Sequence, residues 1–227
     1  MKNNYNYILN GISHEINIDS KIKILSNPLD EKKLLSNKFM LKILNDLFEY
    51  LSIDYTIINN TLLGYKIFQG INIFEEDLEK LIEKSNIKKI LKEEQYLLDN
   101  DIIIDNFNDK FLIMKTLFFQ NTEVISYIYL FQTENNILNF YDKNNNIHNL
   151  NFYDIFPLQK NLIEEFNINI PNKVDSVLTL CGYNLNLIIF KSYKAIVKKF
   201  CVNHIEVFQT IIYILFIHLH QSKLINL

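Results

Sequence analysis

The strongest constraint on this chain is a change of texture near residue 102. From Ile102 to Phe156 the runs "FLIMKTLFF", "EVISYIYLF", "NILNFY" and "IHNLNFYDIF" are aromatic and β-branched, and Asn-rich stretches separate them. Such runs fit pleated, half-buried strands, and Asn tolerates the turns between them. A meander of several strands is therefore expected here. Upstream, "PLDEKKLLSNKFMLKILNDLFEYL" places Leu34, Leu35, Leu41, Leu44, Leu47, Phe48 and Leu51 at helical spacing behind Pro28. "IDYTII" is short and β-branched, so a buried strand follows that helix. "YNYILNGISHEINI" carries Asn10-Gly11 between alternating apolar runs, the pattern of a tight hairpin turn. From Lys173 to the end the spacing is helical again. The expected fold class is α+β, one mixed sheet flanked by helices, with further helices at the C-terminus.

Length and composition leave this open to one domain. The 227 residues suffice for one core, and no linker or repeat divides them. We expect a single domain over 1–227: an N-terminal hairpin at 5–18, a core over about 30–184, and a C-terminal helical part over about 185–227. All 23 basic residues are lysine, and the formal net charge is −3. Without arginine there is no bidentate fork for phosphate or guanine, and no nucleic-acid partner is expected. The segment "VFQTIIYILFIHLH" is apolar but interrupted by Gln209, His218 and His220, and is shorter than the roughly 20 residues a membrane span needs. It reads as a buried core helix. The polar N-terminus does not read as a signal peptide, so the expected location is cytoplasmic. Cys181 and Cys201 read as two free buried thiols. His14, His148, His204, His218 and His220 lack paired metal-ligand spacing.

The stretch "NNTLLGYKIFQGINIFEEDLEKL", Asn59–Leu81, holds two of the four glycines and a dense group of acids. Two readings are open. As a helix start, the acids occupy the first turn, where the helix dipole favours them, and Leu78, Leu81 and Ile82 form the buried stripe. "LEKLIEKSNIKKILKEEQYLL" then continues as helix. As a strand over about 71–79, Glu75, Asp77 and Glu79 alternate onto one face, and Phe74, Glu76 and Leu78 onto the other. Carboxylates aligned in this way repel one another unless a cation holds them, and hard oxygen ligands suit Mg²⁺ or Mn²⁺.

This stretch resembles the signature of the LicD/fukutin family of nucleotidyltransferase-fold proteins. Thr61, Leu62, Leu63 and Gly64 lie on its first block and Gly70 on its loop glycine. Phe74 takes the aromatic position, and Glu75, Glu76, Asp77, Leu78 and Glu79 take the acidic run. "NFYDIFPLQKNLIEEFNINIPNKVDSVLTLCGYN" resembles the family's later block, with Pro157, Pro171 and Gly182 on its characteristic steps. The resemblance covers about Leu34 to Asn184 and implies a nucleotidyltransferase-like sheet. It also implies metal-dependent transfer of a phospho-alcohol, such as phosphocholine or a sugar-alcohol phosphate, from a CDP-activated donor to a glycan acceptor. On this resemblance Asp77, Glu75 and Glu79 are the candidate catalytic residues, with Glu75 and Asp77 holding Mg²⁺ or Mn²⁺. Thr61, Gly64 and Lys66 are the candidate nucleotide contacts, with Gly64 in a turn that brings backbone close to the donor.

The chain departs from the family pattern at several positions. Asn60 stands at the first glycine, and Ile67 at the arginine, with Lys66 beside it. Glu75 and Glu79 replace aspartates. Tyr127 aligns with the third carboxylate, for which Asp154 is an available substitute. These departures imply the alternative: a catalytically degenerate protein of the same fold, binding a nucleotide or a protein.

Overall fold

The computed structural model describes residues 2–9, 12–19, 31–68, 70–71, 77–118, 122–163 and 166–183. The chain divides into two compact units, 1–183 and 184–227, and all the described residues belong to the first. The expected C-terminal helices beyond residue 183, Cys201 included, lie outside the described residues, as does the Asn10-Gly11 turn.

The unit opens with an antiparallel pair, β1 (Lys2–Leu9) and β2 (Ile12–Asp19), in the register Leu9↔Ile12 to Lys2↔Asp19. Helix α1 (Glu31–Tyr50) follows, then β3 (Tyr55–Ile57), α2 (Asn59–Phe68) and β4 (Asp77–Glu83). A single 3₁₀ turn leads into α3 (Ile87–Leu91) and α4 (Glu94–Asp99). The meander is β5 (Ile102–Phe107), β6 (Phe111–Phe118), β7 (Thr122–Glu134), β8 (Ile137–Tyr141) and β9 (Ile147–Asn151). The rest is α5 (Phe152–Ile155), the hairpin β10 (Gln159–Ile163) and β11 (Phe166–Ile170), and α6 (Val174–Leu180).

Seven strands form one mixed sheet in the order β3-β4-β7-β6-β5, extended by β8 on β7 and β9 on β8. Only the β4–β7 pair is parallel; the others are antiparallel. The α+β expectation therefore holds, with helices flanking a mixed sheet. Register and alternation divide the residues of β3 and β4. Tyr55, Ile57, Lys80 and Ile82 share one face, and Thr56, Asp77, Glu79 and Leu81 the other. The Tyr55 hydroxyl donates to Asn45 of α1, which places α1 on the first face. On the second face Thr56 Oγ1 donates to the Asn169 carbonyl of β11 at 3.3 Å. Beneath α1 the side chains of Met40, Leu41, Ile43, Leu44, Leu47 and Phe48 are fully buried with those of Ile57, Ile82 and Ile128. At about 1.5–3 kcal/mol for each large side chain, this layer is the main source of stability.

Three local expectations change. The helix read from Leu78 onward is strand as far as Glu83, because β4 is inserted between β3 and β7 and gains ladder hydrogen bonds on both edges. The expected strand over 71–79 is strand over its described part from Asp77 and runs on to Glu83; residues 72–76 lie outside the described residues. "FYDI" forms a short helix in place of a strand. Asn151 caps it, its side chain accepting from Tyr153 N–H at 2.9 Å. Periodicity did not separate the β10–β11 hairpin from its surroundings.

Candidate functional site

The site is built by β3, α2 and β4. Asn59 enters α2 with φ 48°, a left-handed conformation that Asn tolerates. The turn it makes sets the N-terminus of α2 against β4. There Glu79 Oε2 accepts the Asn60 N–H at 2.8 Å, and the Glu79 N–H donates to Thr61 Oγ1 at 2.7 Å. The Glu79 carboxylate therefore caps a helix on which it does not reside, placing negative charge at the positive end of the helix dipole. Its other oxygen, Oε1, accepts from the Tyr129 hydroxyl at 2.6 Å. The residue is 2% exposed. Burial lifts the Glu79 carboxyl above its ordinary pKa, opposed by hydrogen bonds from Tyr129, Asn60 and Asn59 and by the charge of Lys143. Burial and the Glu79 charge together raise the Tyr129 hydroxyl well above its usual range, so it stays a donor.

Asp77 projects from the same face of β4, two residues before Glu79. Its Oδ2 accepts from Lys143 Nζ at 2.8 Å, and the two side chains are 20% and 26% exposed. The Lys143 ammonium also lies over the Tyr127 ring, 5.3 Å from its centroid, and Tyr127 stacks on Tyr129. Burial pulls the Lys143 pKa down. The Asp77 hydrogen bond and the charges of Glu79 and Asp77 outweigh that effect and raise it overall.

Lys143 sits on the β8–β9 turn, which Asp142 organises. Asp142 Oδ1 accepts the N–H groups of Asn144 and Asn146 at 2.8 and 2.9 Å. Its Oδ2 accepts Asn146 Nδ2 at 2.9 Å and lies 3.1 Å from His148 Nε2. Cys181 borders this region. Burial pushes its thiol up to about 12, and the charges of Glu79 and Asp142 add to the effect, so it remains protonated.

The candidate residues named from sequence separate into three groups. Asp77, Glu79 and Thr61 come together, with Tyr127 paired to Glu79 in the parallel ladder and Ile125 to Asp77. Tyr127 thus stands on the carboxylate face. Gly64 and Lys66 do not join them. Gly64 lies inside α2 and not in a turn, because the helix continues through it from Asn59 to Phe68. Lys66 points elsewhere, pairing with Asp175 of α6 at 2.7 Å. Glu75 lies outside the described residues. Asp154, the alternative third acid, accepts from Lys173 Nζ and Ser176 Oγ at 2.8 Å each, holding α5 to the start of α6.

As arranged, Asp77 and Glu79 are not free to hold a divalent cation, and Glu75, the other expected ligand, lies outside the described residues. Asp77 already holds an ammonium, and Glu79 is directed into α2. Among the described residues no three His, Cys, Asp or Glu side chains gather to hold a metal. Sequence reasoning missed Lys143, Tyr129 and the Asp142–His148 pair. The available signal was Asp142 ahead of three asparagines, the start of a side-chain-braced turn. No protein-family model matches the chain, and no curated protein matches it in sequence. No helix among the described residues is long and apolar enough to cross a membrane.

Proposed function

We propose that this chain is a divergent LicD-like protein on a nucleotidyltransferase-like fold that binds a nucleotide without transferring its phospho-alcohol. The observation that carries the reading is the commitment of Glu79. A general base or metal ligand needs a free lone pair facing the reactants. Both oxygens of Glu79 already accept a hydrogen bond inside the protein, from Asn60 N–H and from the Tyr129 hydroxyl, and at 2% exposure its remaining lone pairs do not face an open site. Thr61 Oγ1 is likewise engaged by Glu79 N–H. What remains is a partly exposed group of Asp77, Lys143 and the Tyr127 ring, suited to binding. A nucleotide ligand fits a cytoplasmic location.

Titration calorimetry with CDP, and with a CDP-activated alcohol, tests this. The expected result is binding of the nucleotide with no release of CDP from the activated donor on long incubation with glycan acceptors. No binding at millimolar nucleotide overturns the nucleotide reading and leaves a protein-binding scaffold. Mn²⁺- or Mg²⁺-dependent release of CDP overturns the loss of chemistry. That outcome supports the second reading, an active metal-dependent transferase, which the partial exposure of Asp77 favours.

A further inference from the structure

Two strands at the margins of the sheet, β5 and β9, keep their outer edges in different ways. β5 breaks register between Ile104 and Asn106, and the residue in the break is Asp105, a charge that guards the edge. β9 pairs with β8 alone and has neither device. Its residues run in unbroken register from Ile137↔Asn151 to Tyr141↔Ile147, with no lysine or carboxylate among them. Hydrogen bonds at the two ends of the β8–β9 pair fix which of its groups face outward. The Asp142 N–H donates to the Asn146 carbonyl at 3.0 Å, and the Phe152 N–H to the Asn136 carbonyl at 2.9 Å. Bonded pairs alternate along an antiparallel ladder, so Phe140↔His148 and Leu138↔Leu150 exchange the bonds between them. The N–H and C=O of Ile147 and Asn149, and the N–H of Asn151, then aim at the open edge. The Asn151 carbonyl serves α5, which that residue caps. The side chains on this face are turned to solvent: Ile147 is 59% and Ile137 38% exposed, and Asn149 is exposed between them.

We propose that β9 is a dimer edge: two copies of this chain pair β9 antiparallel about a twofold axis through Asn149 and join their β8–β9 hairpins into one sheet. The register follows from that axis. Asn149 exchanges N–H and C=O bonds with its counterpart, and the N–H of Asn151 reaches the carbonyl of Ile147 in the second copy. On the solvent face the row Asn139–Asn149 continues into Asn149 and Asn139 of the second copy. Each of these amides both donates and accepts, so the row forms a ladder of amides. On either side of it Tyr141 and Ile147 continue into Asn151 and Ile137 of the second copy, which gives the exposed isoleucines neighbours across the join. A second copy is the occupant this edge selects, because no charge meets its own image anywhere in the register. β5 paired with itself about its middle would bring two Asp105 carboxylates together, like charges across a ladder. A foreign charged strand would find no countercharge on β9. An edge of five residues is small, so the pair belongs with weak, reversible associations, with Kd on the order of 10 µM. The pairing uses none of Asp77, Glu79 and Lys143, and so stands or falls separately from the function proposed above.

Sedimentation velocity of the full chain, from micromolar to submillimolar concentration at low salt, tests this. The samples are wild type, Asn149→Lys, Asn149→Asp, an equimolar mixture of those two, and Asp105→Lys. Wild type is expected to pass from monomer to dimer and no further, since a twofold pair closes on itself. Either charge at position 149 meets its own image and should weaken the dimer about fivefold or more. In the mixture opposite charges meet, and the dimer should return to wild-type strength or better. Asp105→Lys should associate as wild type does. Circular dichroism confirms that each variant keeps its fold, which the exposure of Asn149 leads us to expect. A wild type that stays monomeric throughout overturns the proposal without reference to any variant, as does association that continues past the dimer. A dimer indifferent to both charges at 149, a mixture no tighter than its components, or loss of the dimer in Asp105→Lys overturns it too.

Discussion

Replacing Lys80 should stabilise this protein. It lies on β4 between Glu79 and Leu81, on the α1 side of the sheet, and is fully buried. Among the described residues its Nζ has no hydrogen-bond partner; it lies over the Tyr55 ring, 5.2 Å from the centroid. Burial alone lowers its pKa from 10.5 to about 7. The sign follows from proton counting. Between about pH 7 and 10.5 the unfolded chain binds the proton and the folded chain does not, so stability rises with pH across that window. The whole gap corresponds to about 5 kcal/mol, of which about 4 applies at pH 7 and about 1 at pH 9.5.

Lys80→Met keeps an unbranched stem of similar volume and removes the amine. It gives up an amine–ring contact of about 1 kcal/mol. The expected net effect at pH 7 is a gain of about 2–3 kcal/mol, shrinking to near zero by pH 9.5. Urea unfolding of wild type and variant at both pH values measures it, and other titrating groups cancel in the difference. A variant destabilised by more than about 1 kcal/mol at pH 7, or a gap that does not change with pH, refutes the reasoning.

Tyr129→Phe removes the donor to Glu79 Oε1 and should cost about 1–3 kcal/mol at pH 8. Because the Glu79 pKa is already raised, stability falls as pH rises through its titration, and the variant raises that pKa further. Its deficit should therefore narrow as the pH is lowered toward 4.5, which thermal unfolding across pH would show. Asp154→Asn should cost about 1 kcal/mol at pH 7, since Lys173 and Ser176 lose a charged acceptor. The Lys173 hydrogen bond, with the Ser176 bond, holds the Asp154 pKa below its ordinary value against the opposing effect of burial. That stability is present above about pH 4 and lost on acidification, so wild type and variant should converge as the pH falls below the ordinary carboxylate range, measured by urea midpoints.

Where burial follows period, the elements were legible. The long apolar stripe of α1 and the aromatic runs of β6 and β7 announce themselves, because each has one face against the core. β4 was not legible in the same way. A strand paired on both edges and buried on both faces should read as continuous apolar sequence, yet "DLEKLIE" places Glu79 and Lys80 side by side inside it. Both are buried, one answered by the N-terminus of α2 and the other held in the core with its pKa lowered to about 7. Neither answer is local in sequence: Asn60 is 19 residues from Glu79, and Tyr129 is 50. Charges spaced in this way imitate the polar face of a surface helix, which is why helical spacing continued to fit through Glu83.

The same non-locality limits what a motif can say about a site. Asp77, Glu79 and Thr61 were legible as candidates, and they do meet, because a strand–helix–strand unit brings positions 61 and 77–79 together whatever chemistry they perform. Whether they are free to act depends on residues the motif does not contain. Lys143 is 66 residues from Asp77, on a turn that reads from sequence as an ordinary polar loop tip. What distinguishes it is Asp142, whose carboxylate gathers two backbone N–H groups and the Asn146 amide, with His148 alongside, and so fixes where the next side chain begins. A lysine on a flexible tip would have neutralised Asp77 only part of the time. A lysine on a braced turn is a permanent part of the site, and Asp77, one of the carboxylates that suggest a metal, is then the one that ties the β8–β9 turn to β4.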